Sequence, residues 1–75
     1  MDYDADTVYV GHLVAWHQAG YGFIRPDGGE RDDDVFVVRS VLPDSALLSP
    51  GAKLKFGVVQ TSRGRQALWC ALIDD

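Results

Sequence analysis

The residues with the clearest chemical potential are two aromatic rings set between glycines, in the stretch Ala19-Gly20-Tyr21-Gly22-Phe23-Ile24. Side chains alternate between the faces of a β-strand, so Tyr21 and Phe23 project from the same face. The glycines carry no side chain, which lets a planar ligand approach both rings closely. A second stretch, Val35-Phe36-Val37-Val38, can add a third ring from a neighbouring strand. Rings on adjacent strands form a surface on which nucleic-acid bases can stack.

Length and composition restrict the class of protein. The 75 residues are 47% hydrophobic and 24% charged, which is typical of one small globular domain. A lone cysteine excludes a disulfide within the chain and a zinc site of several thiolates. The N-terminus lacks the basic and apolar regions of a signal peptide, and no run approaches the roughly 20 apolar residues of a membrane span. We expect one domain over residues 1–75, with an acidic lead-in at residues 1–6, in the cytoplasm and not at a membrane.

The formal charge of −4 at pH 7 argues against binding to nucleic acid, but the acidic residues are concentrated at the two ends. Five of the eleven are terminal: Asp2, Asp4, Asp6, Asp74 and Asp75. The other six nearly balance the seven Lys and Arg, all of which lie between Arg25 and Arg65. The basic residues either solubilise the surface or share a face that contacts phosphate, and both alternatives stay open. If the acidic tails compete with phosphate for Arg63 and Arg65, removing residues 1–6 should tighten binding to an oligonucleotide at low salt.

Short strands must hold the rings in place. Runs of β-branched and aromatic residues between turn signals predict five strands, at residues 7–17, 21–25, 34–39, 53–61 and 66–73. Gly11 indicates a bulge or a tight bend in the first strand. In the last strand, alternation places Leu68 and Cys70 on the inner face and Trp69 on the outer face. Residues 45–48 are expected to form one helical turn in the long connection after the third strand.

The pattern of strands also predicts how they assemble. In the fourth strand Leu54, Phe56 and Val58 alternate with polar or small residues, so one face is buried and the other is exposed to water. Closing five short strands into a barrel removes the edges that would make so small a sheet aggregate. We therefore predict an all-β fold, a five-stranded antiparallel Greek-key barrel of the OB type.

The motifs together resemble those of the cold-shock domain family, the bacterial cold-shock protein and Y-box type. The likeness covers about residues 11–70, and its stretches occur in the family's order. The matching positions are Trp16 (the family's tryptophan), residues 19–24 (its first ribonucleoprotein motif), residues 26–29 (the turn after its second strand), residues 34–37 with Ser40 (its second motif), and residues 51–56 and 64–67 (the openings of its last two strands).

This resemblance implies that the chain binds single-stranded RNA or DNA by stacking bases on its rings, without a cofactor, a metal ion or a catalytic step. The stacking positions of the family that are matched here are Trp16, Tyr21, Phe23 and Phe36. With the neighbouring positions and the basic turn after the fourth strand, the predicted nucleic-acid site comprises Trp16, His17, Tyr21, Phe23, Phe36, Val38, Arg39, Arg63 and Arg65.

Three of these positions depart from the family's pattern. His17 replaces a phenylalanine, Val38 replaces a histidine and Arg39 replaces a second phenylalanine. Each base–aromatic stack that is lost weakens binding by about 1–3 kcal/mol. Arginine can partly compensate, because its planar guanidinium stacks on bases and pairs with phosphate. The resemblance therefore predicts modest affinity.

Two functions remain open. The first is a single-strand binding module with little sequence preference, acting as an RNA chaperone or as a regulator of transcription or translation. The second is a barrel of the same fold adapted to bind a protein, with Trp69, Phe36 and Val38 as its apolar centre and acidic tails that steer a basic partner. The expected oligomeric state is a monomer or a weak dimer.

An enzymatic function is not expected. His12 and His17 fall on opposite faces of a straight strand, so they form no metal-binding or acid–base pair. Cys70 has the inward parity of a small core residue. The run at residues 32–34 is three aspartates at a loop end, with no further ligand for a cation in view.

Overall fold

The computed structural model describes residues 3–44 and 51–73 of the chain. Within them the chain forms five strands: β1 (Tyr9–His17), β2 (Tyr21–Pro26), β3 (Val35–Val38), β4 (Lys53–Thr61) and β5 (Gly64–Leu72). A short 3₁₀ turn, Arg31–Asp33, lies in the connection between β2 and β3. The helical turn predicted at residues 45–48 lies outside the described residues. In the part of the chain that is described, no helix is long and apolar enough to cross a membrane.

The strands close into a barrel in the order β1-β2-β3-β5-β4, and β4 pairs with β1. The predicted all-β class and five-stranded barrel are confirmed. The prediction that the sheet is antiparallel throughout is wrong, because β3 and β5 run parallel, with Phe36 paired to Gln66. The reason is geometrical. Strand directions cannot alternate around a closed ring of five, so at least one neighbouring pair must run parallel.

Alternate residues of the strands point into the barrel and form its core. The buried apolar residues are Ile24, Val35, Val37, Leu42, Leu54, Phe56, Val58 and Ala67. The inward alternation predicted for Leu54, Phe56 and Val58 on β4 is confirmed, since each is at most 2% exposed. The residues between these core positions face outward, and they include the rings that the sequence singled out.

A β-bulge in β1 changes which of its residues face outward. The pairing of β1 with β2 shifts between Leu13 and Ala15, which leaves Val14 as the extra residue. At Gly11, where the sequence predicted a bulge or a bend, the pairing with β2 continues without a shift. Glycine is needed there because a Cβ at this position would collide with the carbonyl group of Arg25. The irregularity of β1 is therefore three residues further along than Gly11 indicated.

A second bulge lies in β5. Trp69 pairs with Gly57, and Ala67 pairs with the next residue of β4, so Leu68 is the extra residue. Ala67 takes the inward position, whereas Leu68 is 60% exposed. The prediction that Leu68 points inward is wrong, because an inserted residue reverses the alternation on one side of it. Cys70 packs against the core and Trp69 is 38% exposed, as predicted.

The described part of the N-terminal segment folds back against the barrel. The amide of Thr7 donates to the carbonyl of Asp4 at 3.2 Å, and the amide of Asp4 donates to the Tyr9 hydroxyl at 2.6 Å. The Tyr3 ring meets the Tyr9 ring edge-on, with centroids 4.9 Å apart, and packs against the core. This fold-back brings Tyr3 to the connection between β2 and β3.

Candidate nucleic-acid interface

A row of four aromatic rings lies on the outer face of β1, β2 and β3. The register pairs His17 with Tyr21 on one side and Phe23 with Phe36 on the other, and directly paired residues point to the same side of a sheet. The rings of His17 and Tyr21 are stacked, with centroids 4.5 Å apart and planes 21° apart. The Phe36 centroid lies 5.6 Å from that of Tyr21 and 5.9 Å from that of Phe23. These four residues form one continuous surface, which we call the ring row.

The local structure fixes the ring row before any ligand arrives. Gly20 closes the β1–β2 hairpin with φ at 103°, and its amide donates to the carbonyl of His17 at 3.0 Å. This positive φ favours glycine, and the tight turn brings His17 onto Tyr21. Tyr21, Phe23 and Phe36 are half-buried, so their neighbours hold each ring while part of it stays open. Little side-chain freedom remains to be lost when a base binds.

Trp16 does not lie with the ring row. It pairs with Gly22, between the outward pairs that contain Ala15 and His17. Its ring packs against the core, with Cε3 2.6 Å from where a Cβ of Gly22 would stand. Ala15, and not Trp16, is therefore the residue of β1 opposite Phe23 on the outer face. The structure brings together His17, Tyr21, Phe23 and Phe36, while a contact between Trp16 and a base stays a prediction.

Two open grooves flank Phe23. One, about 690 Å³, lies between the ring row and the β4–β5 turn, and we call it the β5 groove. The other, about 610 Å³, lies over β1 where Ala15 leaves space, and we call it the β1 groove. Phe23, Asp34 and Arg65 line both grooves, so they form the wall between them. Arg63 lines the β5 groove and Arg31 lines the β1 groove.

The arginines around the grooves differ in how far they are engaged. Arg25 forms a bidentate pair with Asp34, with Nε 2.8 Å from Oδ1 and Nη2 3.1 Å from Oδ2. This hydrogen bonding raises the pKa of the Arg25 guanidinium, which stays charged at physiological pH. Arg31 and Arg63 are exposed and make no ion pair with any side chain that the structure describes. They are the arginines best able to turn towards a phosphate.

Val38 and Arg39 continue the outer face at the end of β3. Val38 pairs with Tyr21 and lines the β5 groove, where it adds apolar surface but no ring. The amide of Arg39 donates to the carbonyl of Gly20 at 2.9 Å, and its Nη1 lies 2.5 Å from Oδ1 of Asp44. An exposed ion pair of this kind is worth only about 0–1 kcal/mol, so a nucleic-acid phosphate can displace it.

Trp69 lies away from the ring row, on the outer face of β4 and β5. Its indole Nε1 stands so close over Gly57 that a Cβ at that position would collide with it. Trp69 lines neither groove. Its exposure keeps the predicted protein contact open, while Phe36 and Val38, its predicted companions, line the β5 groove.

The described residues bring together no metal-binding cluster. In residues 3–44 and 51–73, no group of three or more His, Cys, Asp and Glu side chains could hold a metal ion. Burial raises the pKa of the Cys70 thiol to about 11, so it is protonated near neutral pH and is a poor nucleophile. Cys70 therefore serves as a core residue.

Several groove residues were not among the predicted site residues, and Ala15, Arg25 and Arg31 are three of them. The sequence indicates Arg25 as a residue for phosphate contacts away from the rings, although it lies two residues after Phe23 on the same strand and shares its face. Ala15 faces outward only because of the bulge at Val14, for which the sequence carries no clear signal. Arg31 comes from a loop whose path the sequence does not reveal.

Comparison with known proteins points to one family. The family described as the 'cold-shock' DNA-binding domain matches residues 11–71. The cold shock-like protein CspG of Shewanella violacea is 44% identical over 59 residues, which cover 73% of this chain and 81% of that protein. The family match contains the ring row and all nine predicted site residues, whereas the N-terminal segment with Tyr3 lies outside it.

Proposed function

The chain belongs to the cold-shock DNA-binding domain family, and from this premise we propose that it binds single-stranded RNA or DNA on the ring row. Family membership supports nucleic-acid binding in general. The single observation that supports base stacking is the continuous contact of His17, Tyr21, Phe36 and Phe23 on one outer face. Flat, half-exposed rings favour ligands that are themselves flat, and unpaired bases have this property.

The geometry supports base stacking by the rings and phosphate contacts by the arginines. Bases stack on Tyr21, Phe23 and Phe36, and the strand passes Phe23 with one groove on each side. Arg63 and Arg31 reach phosphates from the two grooves, and Arg65 lies between them. Phosphate contacts of this kind add affinity without reading sequence.

The same surface supports modest affinity and little sequence preference. Three stacks are worth about 3–9 kcal/mol before the ordering of the strand is subtracted, which is in keeping with millimolar to micromolar dissociation constants. Both oxygens of the Asp34 carboxylate accept hydrogen bonds from Arg25, so they are poorly placed to select a base edge. A binder with these properties suits an RNA chaperone or a regulator of transcription or translation, which is the role we propose.

Fluorescence anisotropy of labelled oligo-dT and oligo-U of about eight nucleotides, titrated with the protein at about 50 mM salt, tests the proposal. A labelled strand is preferable to tryptophan fluorescence, because neither Trp16 nor Trp69 lies on the ring row. We expect binding that weakens with salt. Phe36→Leu should weaken it by about 1–3 kcal/mol, whereas Val8→Ala, at a position 57% exposed outside both grooves, should leave it unchanged. No binding up to several hundred micromolar protein would refute the proposal.

Protein binding is a second candidate function, and one observation favours it. The large apolar side chains that stand exposed in the described residues are Val8, Val10, Leu68 and Trp69, at 38–60% exposure. None of them lines either groove, so this surface could act independently of nucleic acid. Pull-down from nuclease-treated extract, with Leu68→Ser as the matched variant, distinguishes the two functions. A partner that survives nuclease and is lost in the variant supports protein binding, and one that disappears with nuclease does not.

A further inference from the structure

Arg65 lies where the two grooves of the candidate site meet. It is the one arginine that lines both grooves, at the wall beside Phe23, in the described part of the chain. A strand with one base in each groove must carry a phosphate past this wall. A guanidinium with five N–H donors suits that position, because it can bind phosphate oxygens in bidentate fashion.

The guanidinium of Arg65 is held by the N-terminal segment and by the β2–β3 connection. Its Cζ lies 5.2 Å from the centroid of the Tyr3 ring, which is the geometry of a cation–π contact. Its Nη2 donates to the carbonyl of Asp32. Arginine has many rotamers, so a side chain that is already oriented loses less freedom when it binds a phosphate.

Tyr3 is itself fixed at both ends. Its hydroxyl donates to the carbonyl of Asp33 at 2.5 Å, and its ring meets the edge of Tyr9. The 3₁₀ turn that carries this carbonyl is closed by its own bonds, because the amide of Glu30 donates to Oδ2 of Asp33 at 2.8 Å and the amide of Asp33 donates to the carbonyl of Glu30 at 2.9 Å. The ring of Tyr3 therefore presents a rigid face to Arg65.

We propose that Tyr3 is a positioning residue for nucleic-acid binding: it holds Arg65 at the wall between the two grooves, where Arg65 contacts the phosphate that joins two bound nucleotides. The inference rests on the proposed function and adds a residue outside the stretch that matches the family. It also predicts that the N-terminal segment strengthens oligonucleotide binding, whereas competition by its aspartates with phosphate predicts that the segment weakens it. The segment strengthens binding through Tyr3, whatever the aspartates beside it do.

The test is a double-mutant cycle on the full chain, read by the anisotropy titration over a range of salt concentrations. Arg65→Gln should weaken binding roughly tenfold and lower the slope of log Kd against log salt by about 0.7, the value of one phosphate contact on a single strand. Tyr3→Leu keeps apolar bulk but removes the ring, and it should weaken binding about threefold with a smaller fall in the slope. Tyr3→Phe keeps the ring under Arg65 and should bind within twofold of the unmodified protein.

The cycle separates positioning from a purely structural role. If Tyr3 acts through Arg65, adding Tyr3→Leu to Arg65→Gln should cause no further loss. An equal loss from Tyr3→Leu in both backgrounds would overturn the inference. So would unchanged binding by Tyr3→Leu when Arg65→Gln has the expected effect. Melting curves of each variant establish that it is folded, and Tyr3→Met, which also removes the ring, replaces Tyr3→Leu in the cycle if that variant unfolds.

Two further measurements complete the test. A variant with Asp4→Asn and Asp6→Asn leaves Tyr3 in place and reports on acidic competition alone. Tighter binding by this variant together with weaker binding by Tyr3→Leu supports the inference, whereas tighter binding by both contradicts it. Absence of binding by the unmodified protein would refute the proposed function itself, an outcome distinct from a normal titration that Tyr3→Leu leaves unaffected.

Discussion

Each of the two tryptophans of this chain lies over a glycine of the neighbouring strand, but one packs against the core and the other is exposed on the outer face. Trp16 on β1 lies over Gly22 of β2, and Trp69 on β5 lies over Gly57 of β4. Trp16 packs against the core, whereas Trp69 is 38% exposed on the outer face. A β-bulge precedes each of them. The register of a strand, more than the type of residue, therefore decides whether a ring joins the core or the surface.

The bulge in β1 shows how this happens. Leu13 points inward, so strict alternation along β1 would turn Trp16 outward and His17 inward. The extra residue Val14 reverses both directions. As a result His17 stacks on Tyr21 in the ring row, and Trp16 packs against the core. One inserted residue thus changes the composition of the candidate binding surface.

Replacing the glycine that faces each tryptophan should show the largest difference in stability between the two environments. Gly22→Ala should destabilise the protein by about 3 kcal/mol, because the new Cβ would meet the carbonyl of Ala15 as well as the ring of Trp16. Gly57→Ala should cost about 1 kcal/mol, because its Cβ would meet only the partly exposed ring of Trp69, which can move. Urea unfolding of both variants measures the difference. Equal losses would contradict the assignment of Trp16 to the tightly packed side.

Replacing the tryptophans themselves gives the next largest effect. Trp16→Leu should lower the free energy of unfolding by about 2 kcal/mol, since it removes core packing, and Trp69→Leu by less than about 1 kcal/mol. At temperatures where both variants are folded, Trp69→Leu should weaken oligonucleotide binding no more than about twofold. Loss of binding in Trp16→Leu alone, with its fold intact, would show that Trp16 contacts a base.

The inward position of Cys70 on β5 can be tested through the pH dependence of the free energy of unfolding. Burial raises the pKa of the Cys70 thiol to about 11, from an ordinary value near 9. The unfolded chain therefore releases this proton first, and the contribution to stability is complete below about pH 9 and lost as the pH rises towards 11. Cys70→Ala should flatten the fall in stability between these values, measured by urea unfolding at each pH.

The pH comparison has an internal control. Burial also raises the pKa of the Tyr3 hydroxyl, so this group too lowers the free energy of unfolding as the pH rises into the alkaline range. Tyr3 is present in both the unmodified protein and Cys70→Ala, so the difference between their curves isolates the thiol. Curves that run parallel would contradict the inward position of Cys70.

The smallest expected effect is at the bulge residue of β5. Leu68→Ser should change the free energy of unfolding by no more than about 0.5 kcal/mol, because the side chain is 60% exposed. By strict alternation the same change would open a cavity in the core and cost about 2–5 kcal/mol. A loss in that range would show that Leu68 points inward in solution.

Much of the fold follows from local patterns. The alternation of Leu54, Phe56 and Val58 predicts both the limits of β4 and its buried face, since each residue reports on its own environment. Two rings with glycine between them predict the outer face of β2 in the same way. That one neighbouring pair of strands runs parallel could also have been foreseen, because an odd ring of strands requires it, whereas the sequence does not say that the pair is β3 with β5. The bulge at Leu68 could not have been foreseen, because a strand with one extra residue contains the same kinds of residues as a regular strand.

By itself, then, the sequence determined the barrel and the rings of β2 and β3, because strand propensity and two-residue periodicity act over a few neighbouring positions. Its motifs also carried the resemblance to the family. Only the tertiary structure decided the parity of Trp16 and His17, since a bulge is set by how two whole strands pair. The tertiary structure also joined Tyr3 to Asp33 and Arg65 to Asp32, across 30 and 33 residues of chain. Contacts over such distances depend on closure of the whole barrel, which no local pattern records.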